Sequence, residues 1–274
     1  MIDFTLKIYS ELLVAIKRIG YECYTFEDWC EGKAKGRFVI LRHDVDLRAG
    51  HSLATATIEA QLGIRASYYF RVVAESNVPD VIMKIAALGH EIGYHYEDLS
   101  LFKGDTVLAI AHFEQQLTYF RQFYPVKTVC MHGSPASKFD NKELWKLYNY
   151  RDYGIVGEPY FDFLNGEVST NNVLYLTDTA RMWDGDKYNV RDKRVSNDEG
   201  RMANDELRIS NDELILPKIH STQDFIDWLA TNPTHDVMMI TTHPQRWTDS
   251  RIEWVQELVM QSLKNVVKRW MFVK

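Results

Sequence analysis

Arg37-Phe-Val-Ile-Leu-Arg-His-Asp-Val-Asp46 is the stretch from which the rest of the chain can be read. Phe38 to Leu41 form an apolar run that reads as a buried strand. The strand stops at His43-Asp44-Val45-Asp46, which places three ionisable side chains at its C-terminal end. In α/β folds that is the end where ligands bind and chemistry occurs. Asp44 and Asp46 are two residues apart, so in extended chain they point to one side. Two carboxylates facing one spot repel unless a cation lies between them or one holds a proton. On its own, Asp-x-Asp fits a strand leading into an acidic helix cap equally well.

The flanking sequence repeats the theme. Helical spacing runs over 3–19, from Arg48 to Leu62, from Val78 to Leu88, from Thr106 to Phe123, from Lys142 to Tyr148, from Thr222 to Ala230 and over 249–270. Tyr24 to Trp29 reads as a short helix capped by Thr25. Between these helices, 64–72, 91–95, 127–132, 154–156, 173–177 and 236–243 read as strands. Alternation of strand and helix predicts a parallel sheet or barrel built from βα units. Four of the nine histidines, His43, His95, His132 and His243, fall at the ends of separate strands. One histidine so placed is ordinarily structural. Four, together with Asp44 and Asp46, predict one shared site at a barrel mouth. His90, at the start of its strand, reads as structural.

Composition limits the alternatives. The chain has 274 residues, 46% hydrophobic and 26% charged, with 32 basic and 38 acidic residues, enough for one large domain. No basic block stands out, so nucleic acid is not an expected partner. No apolar run is long enough for a membrane span. Cys23, Cys30 and Cys130 are too far apart for a CxxC motif, and the charged, periodic N-terminus is not a signal peptide, so a cytoplasmic location is expected. Residues 196–216 depart from the pattern with three seven-residue units, Ser196 to Met202, Ala203 to Ile209 and Ser210 to Leu216. Three units are too short for a coiled coil, and the segment reads as an inserted loop or short helix outside catalysis.

Histidine and carboxylate suit a divalent metal with one position left open for water. Asp46 and His95 are the candidate ligands. A metal so held acidifies bound water and polarises a carbonyl. Asp44 could take the proton from that water, and His243 could return one to a leaving group. This set hydrolyses an amide or ester without a covalent intermediate, and no G-x-S-x-G elbow suggests one.

Several motifs resemble the polysaccharide deacetylase (NodB-homology, carbohydrate esterase 4) superfamily. Ile40 to Asp46 is similar to the family's first, aspartate-bearing motif. Gly63-Ile-Arg-Ala-Ser-Tyr-Tyr-Phe70 is similar to its next strand, and Gly89-His-Glu-Ile-Gly-Tyr-His95 is the most specific match. Met131-His-Gly-Ser-Pro135 stands where the family has Arg-x-Pro-Tyr, and Thr241-Thr-His-Pro244 where it has its late histidine. The resemblance implies a distorted (β/α)7-type barrel spanning residues 1–274, with an extra N-terminal helix and the 196–216 insertion. It implies Asp44 as base, Asp46 and His95 as metal ligands, and His243 as acid. It departs at Leu99, where the family has a second metal histidine. His132 is the expected replacement, with Glu97, Asp98 and His43 as alternatives. Ser134 and Pro135 are expected to shape the cleft, and Tyr96, Glu97, His43 and Trp247 to contact substrate. The implied function is a metal-dependent hydrolase, zinc being the expected ion, that deacetylates an N- or O-acetylated sugar or glycan precursor. The alternatives are hydrolysis of a non-sugar C–N bond and an inactive glycan-binding barrel.

Overall fold

The computed structural model describes residues 2–134, 136–164, 173–185 and 219–272. Pro135 and the heptad segment 196–216 lie outside them. Seven strands form one sheet: β1 (Glu22–Tyr24), β2 (Phe38–Val45), β3 (Ser67–Phe70), β4 (Glu91–Tyr96), β5 (Val129–Met131), β6 (Val173–Thr177) and β7 (Val237–Thr242). The main path runs β5-β4-β3-β2-β7-β6, and every pairing is parallel. β1 lies along the first half of one edge of β2, with Glu22 opposite Phe38, and β3 takes over that edge from Arg42. All eight residues of β2 are buried, as expected of a central parallel strand covered on both faces.

Parallel neighbours need crossover connections, and helices supply most of them. The helices are α1 (Leu6–Arg18), α2 (Phe26–Cys30), α3 (Ala49–Gln61), α4 (Pro79–Ala87), α5 (Asp98–Leu101), α6 (Thr106–Phe120), α7 (Thr222–Ala230) and α8 (Arg251–Phe272). Their starts follow local chemistry. Thr5 caps α1, Thr25 caps α2, Asp105 caps α6, and Ser221 with Asp224 forms a reciprocal capping box on α7. The apolar face of α1, Ile8, Tyr9, Leu12, Leu13 and Ile16, is fully buried. No described helix is long and apolar enough to cross a membrane.

The sheet curls into a half-barrel with β5 and β6 as its edges, and among the described residues no strand joins them. The complete seven-stranded barrel is therefore not what the described residues form. The 154–156 candidate strand does not form; one isolated bridge, Thr128 to Gly157, lies just after it. Beyond it Pro159 cannot donate to a ladder, and the Glu158 carboxylate turns the chain by accepting from the Tyr160 and Phe161 amides. The 142–148 segment is a 3-10 turn, Asn141–Lys146.

Candidate metal centre

Six ionisable residues converge on the C-terminal ends of the strands. Asp44 is the next-to-last residue of β2, Asp46 follows that strand, His95 lies near the end of β4, His132 follows β5, Asp178 follows β6 and His243 follows β7. Between Asp44 and Asp46 the chain turns tightly, the Asp46 amide donating to the Asp44 carbonyl at 3.1 Å. Both carboxylates nevertheless face His95, whose Nε2 is 3.9 Å from Asp44 Oδ2 and 3.7 Å from Asp46 Oδ1.

The tautomers of the two central rings follow from their partners. His95 Nδ1 donates to the Cys130 carbonyl at 2.9 Å, so a neutral ring presents the Nε2 lone pair to the carboxylates. His132 Nδ1 lies 3.0 Å from Glu97 Oε2, and its Nε2 points at Asp46 Oδ1 at 3.5 Å. Glu97 is itself held by Arg71 through two bonds of 2.8 Å. Burial would raise the Glu97 carboxyl, but His132 and Arg71 outweigh it and hold it down to about 2. Burial of His95, the dominant effect there, lowers its pKa despite Asp44 and so favours the neutral ring.

Asp46 Oδ1 is buried and, among the described residues, has no hydrogen-bond donor, although two Nε2 atoms face it. An orphaned carboxylate oxygen between two imidazole lone pairs is costly unless a cation joins them. The ligand atoms of Asp46, His95 and His132 lie within 4.8 Å of one another and could hold a metal ion. Two nitrogens and one oxygen are a donor set that suits zinc, with backbone and carboxylate partners fixing both rings from behind. Gln245 Nε2 approaches the other Asp46 oxygen at 3.4 Å. Asp44, His95 and Cys130 form a second group of the same kind. It is the poorer one, because both Asp44 oxygens already accept from Arg42, at 3.1 and 2.9 Å.

The chain matches no family model, no curated protein and no solved structure. The site therefore rests on its own geometry.

Arg42 is fully buried, and its guanidinium also donates to Tyr160 Oη at 2.9 Å. Burial would raise the Asp44 carboxyl, but Arg42 and then His95 and His243 hold it below its ordinary value. On the other wall, His243 Nδ1 donates to Asp178 Oδ1 at 2.6 Å. Arg246 Nη1, 2.6 Å from the same oxygen, and Trp247 Nε1, 2.9 Å from Oδ2, also donate to Asp178. Burial opposes ionisation of Asp178, yet Arg246 and His243 bring its pKa down to about 2. The ring is thereby oriented with Nε2 left for other partners.

Other expected residues lie elsewhere. His43 alternates to the opposite face of β2 from Asp44 and is fully buried, bonded to Glu59 Oε1 at 2.7 Å and Thr242 Oγ1 at 2.6 Å. It stacks on Tyr68 and is neither a ligand nor a substrate contact. Asp98 accepts from Tyr94 and His112 in the core. Tyr96 is fully buried against Phe113 and Trp145, and Trp247 against Phe4 and Tyr9, so neither lines an open wall. Glu97 and Ser134 brace His132 and line a cleft of about 650 Å³ with it. His90 is structural, its ring bridging the Ala66 amide and the Ala56 carbonyl.

Proposed function

We propose that the chain is a metal-dependent hydrolase of the deacetylase type, acting on an N- or O-acetylated sugar or glycan precursor. The orphaned, buried Asp46 Oδ1 facing His95 Nε2 and His132 Nε2 carries this reading. Asp46, His95 and His132 would hold the ion, zinc by donor chemistry, which when bound acidifies water and polarises an acyl carbonyl. Asp44 is held ionised by Arg42, and its Oδ2, 3.9 Å from His95 Nε2, keeps a further lone pair with which to act as the general base. His243, held by Asp178, offers Nε2 on the opposite wall as the proton donor to the departing amine or alcohol. A glycan-binding module has no need of either group.

Elemental analysis of the purified chain tests the proposal. About one divalent ion per chain is expected, lost in Asp46→Ala, His95→Ala and His132→Ala. Asp44→Asn should keep the ion and lose turnover on acetylated sugars. A chain that takes up no ion after reconstitution is not this hydrolase, and a binding barrel would then replace it.

A further inference from the structure

The cleft beside His132 is built by two turns locked together. Gly104, at φ 91°, follows α5, and a Cβ there would overlap the Phe139 ring. Ser100 Oγ donates to the Phe139 carbonyl at 3.2 Å, and the Ser100 amide donates to Asn141 Oδ1 at 2.8 Å. Asn141 in turn donates to the His132 carbonyl at 2.8 Å, which ties this wall to the metal centre. Lys103, in left-handed backbone at φ 53°, and Lys138 both stand at the exposed rim of this cleft.

That rim is electrically unbalanced. The cleft carries Arg71, Lys103 and Lys138 against one carboxylate, Glu97. Arg71 is committed to Glu97, and among the described residues neither lysine is paired with a carboxylate. The cleft is thus positive in a chain whose net charge is -6. Phe139, whose ring packs at Gly104 and lies 5.1 Å from Lys138 Nζ, and Ser134 and Ser137 complete a lining that mixes ring, hydroxyl and charge.

We propose that Lys103 and Lys138 form a subsite for an anionic group, phosphate or carboxylate, so that the substrate is an acidic acetylated sugar. The proposal deepens the hydrolase reading and rests on it for the acetyl-bearing part of the ligand. Ammonium groups act on such an anion as point charges, which sets preference for charge ahead of shape.

Titration calorimetry on the full chain, stripped of metal and at low salt, tests this without turnover. The probes are N-acetylglucosamine, N-acetylglucosamine 1-phosphate and N-acetylneuraminic acid. At least one anionic sugar should bind about tenfold or more tightly than the neutral one. Lys103→Gln/Lys138→Gln should abolish that gap, and both side chains are exposed, so the fold is retained. Which acid keeps the gap tells phosphate from carboxylate. Equal or absent binding of all three sugars overturns the subsite, as does a gap that survives the double variant. Asp46→Ala should lose metal and keep the gap. A gap in a wild-type chain that takes no metal would leave the subsite standing and remove the hydrolase.

Discussion

Arg42 and Asp44 lie on one face of β2 and meet as a bidentate pair in a wholly buried setting. Such a pair adds little stability over an apolar isostere, but breaking it leaves a charge stranded. Arg42→Met should therefore cost about 3–5 kcal/mol in urea unfolding, and Arg42→Met/Asp44→Asn should recover most of that. Equal losses in the single and double variants would mean that the two side chains do not act as a pair. The sequence exposes Asp44, Asp46, His95, His132 and His243 because each closes an apolar run. Strand alternation alone places His43 on the face opposite Asp44, and so away from the site. Asp178 follows its strand in the same manner, but a single aspartate after a strand reads as an ordinary turn or cap residue. Arg42 was hidden for another reason: a strand arginine reads as solvated until the guanidinium partners, Asp44 and Tyr160, are placed around it.

β4 carries His95 and depends on a residue without a side chain. A Cβ on Gly93 would overlap the Tyr69 ring of β3 and lie 3.0 Å from the Thr128 carbonyl. Tyr69 has no easy retreat, since it is fully buried and shares a 3.0 Å hydrogen bond with Thr128. Gly93→Ala should cost about 1–3 kcal/mol by overpacking. It should also weaken metal retention, because His95 stands two residues along the same face. Gly50→Ala, in the first turn of α3 with open space around it, is the control and should keep the metal and lose no stability, gaining up to about 1 kcal/mol from helix propensity. A Gly93→Ala chain as stable as wild type would show that β4 can shift without cost. The long elements were legible because amphipathic spacing announces them. β1 was not, being three partly exposed residues, too short to show an alternating pattern.

Across the whole molecule, the two ends of the sheet carry buried carboxylates of opposite kind. The candidate site occupies the C-terminal ends, whereas Glu91 opens β4 and joins Ser67 of β3, Thr128 before β5 and the Glu27 amide of α2. Burial pushes the Glu91 carboxyl up to about 7, against the lowering effect of those hydrogen bonds. The folded chain thus keeps a proton that the unfolded chain releases near the ordinary value of 4.5. The contribution is fully present below about 4.5 and is lost as pH rises through about 7, up to about 3 kcal/mol. Asp178 works in the reverse sense and in a lower window, its contribution fading only as pH falls below about 4 towards 2. Glu91→Gln copies the protonated form, with its amide donating to Thr128 and its oxygen accepting from Ser67 and the Glu27 amide. Urea unfolding at pH 5 and pH 8 should show wild type losing stability between the two, and the variant losing clearly less. A residual slope is expected from Glu158, which burial likewise raises to about 7. An unchanged slope in Glu91→Gln would mean that the hydrogen bonds keep Glu91 ionised in the fold. The pH dependence would then have to arise from Glu158 and the other buried groups.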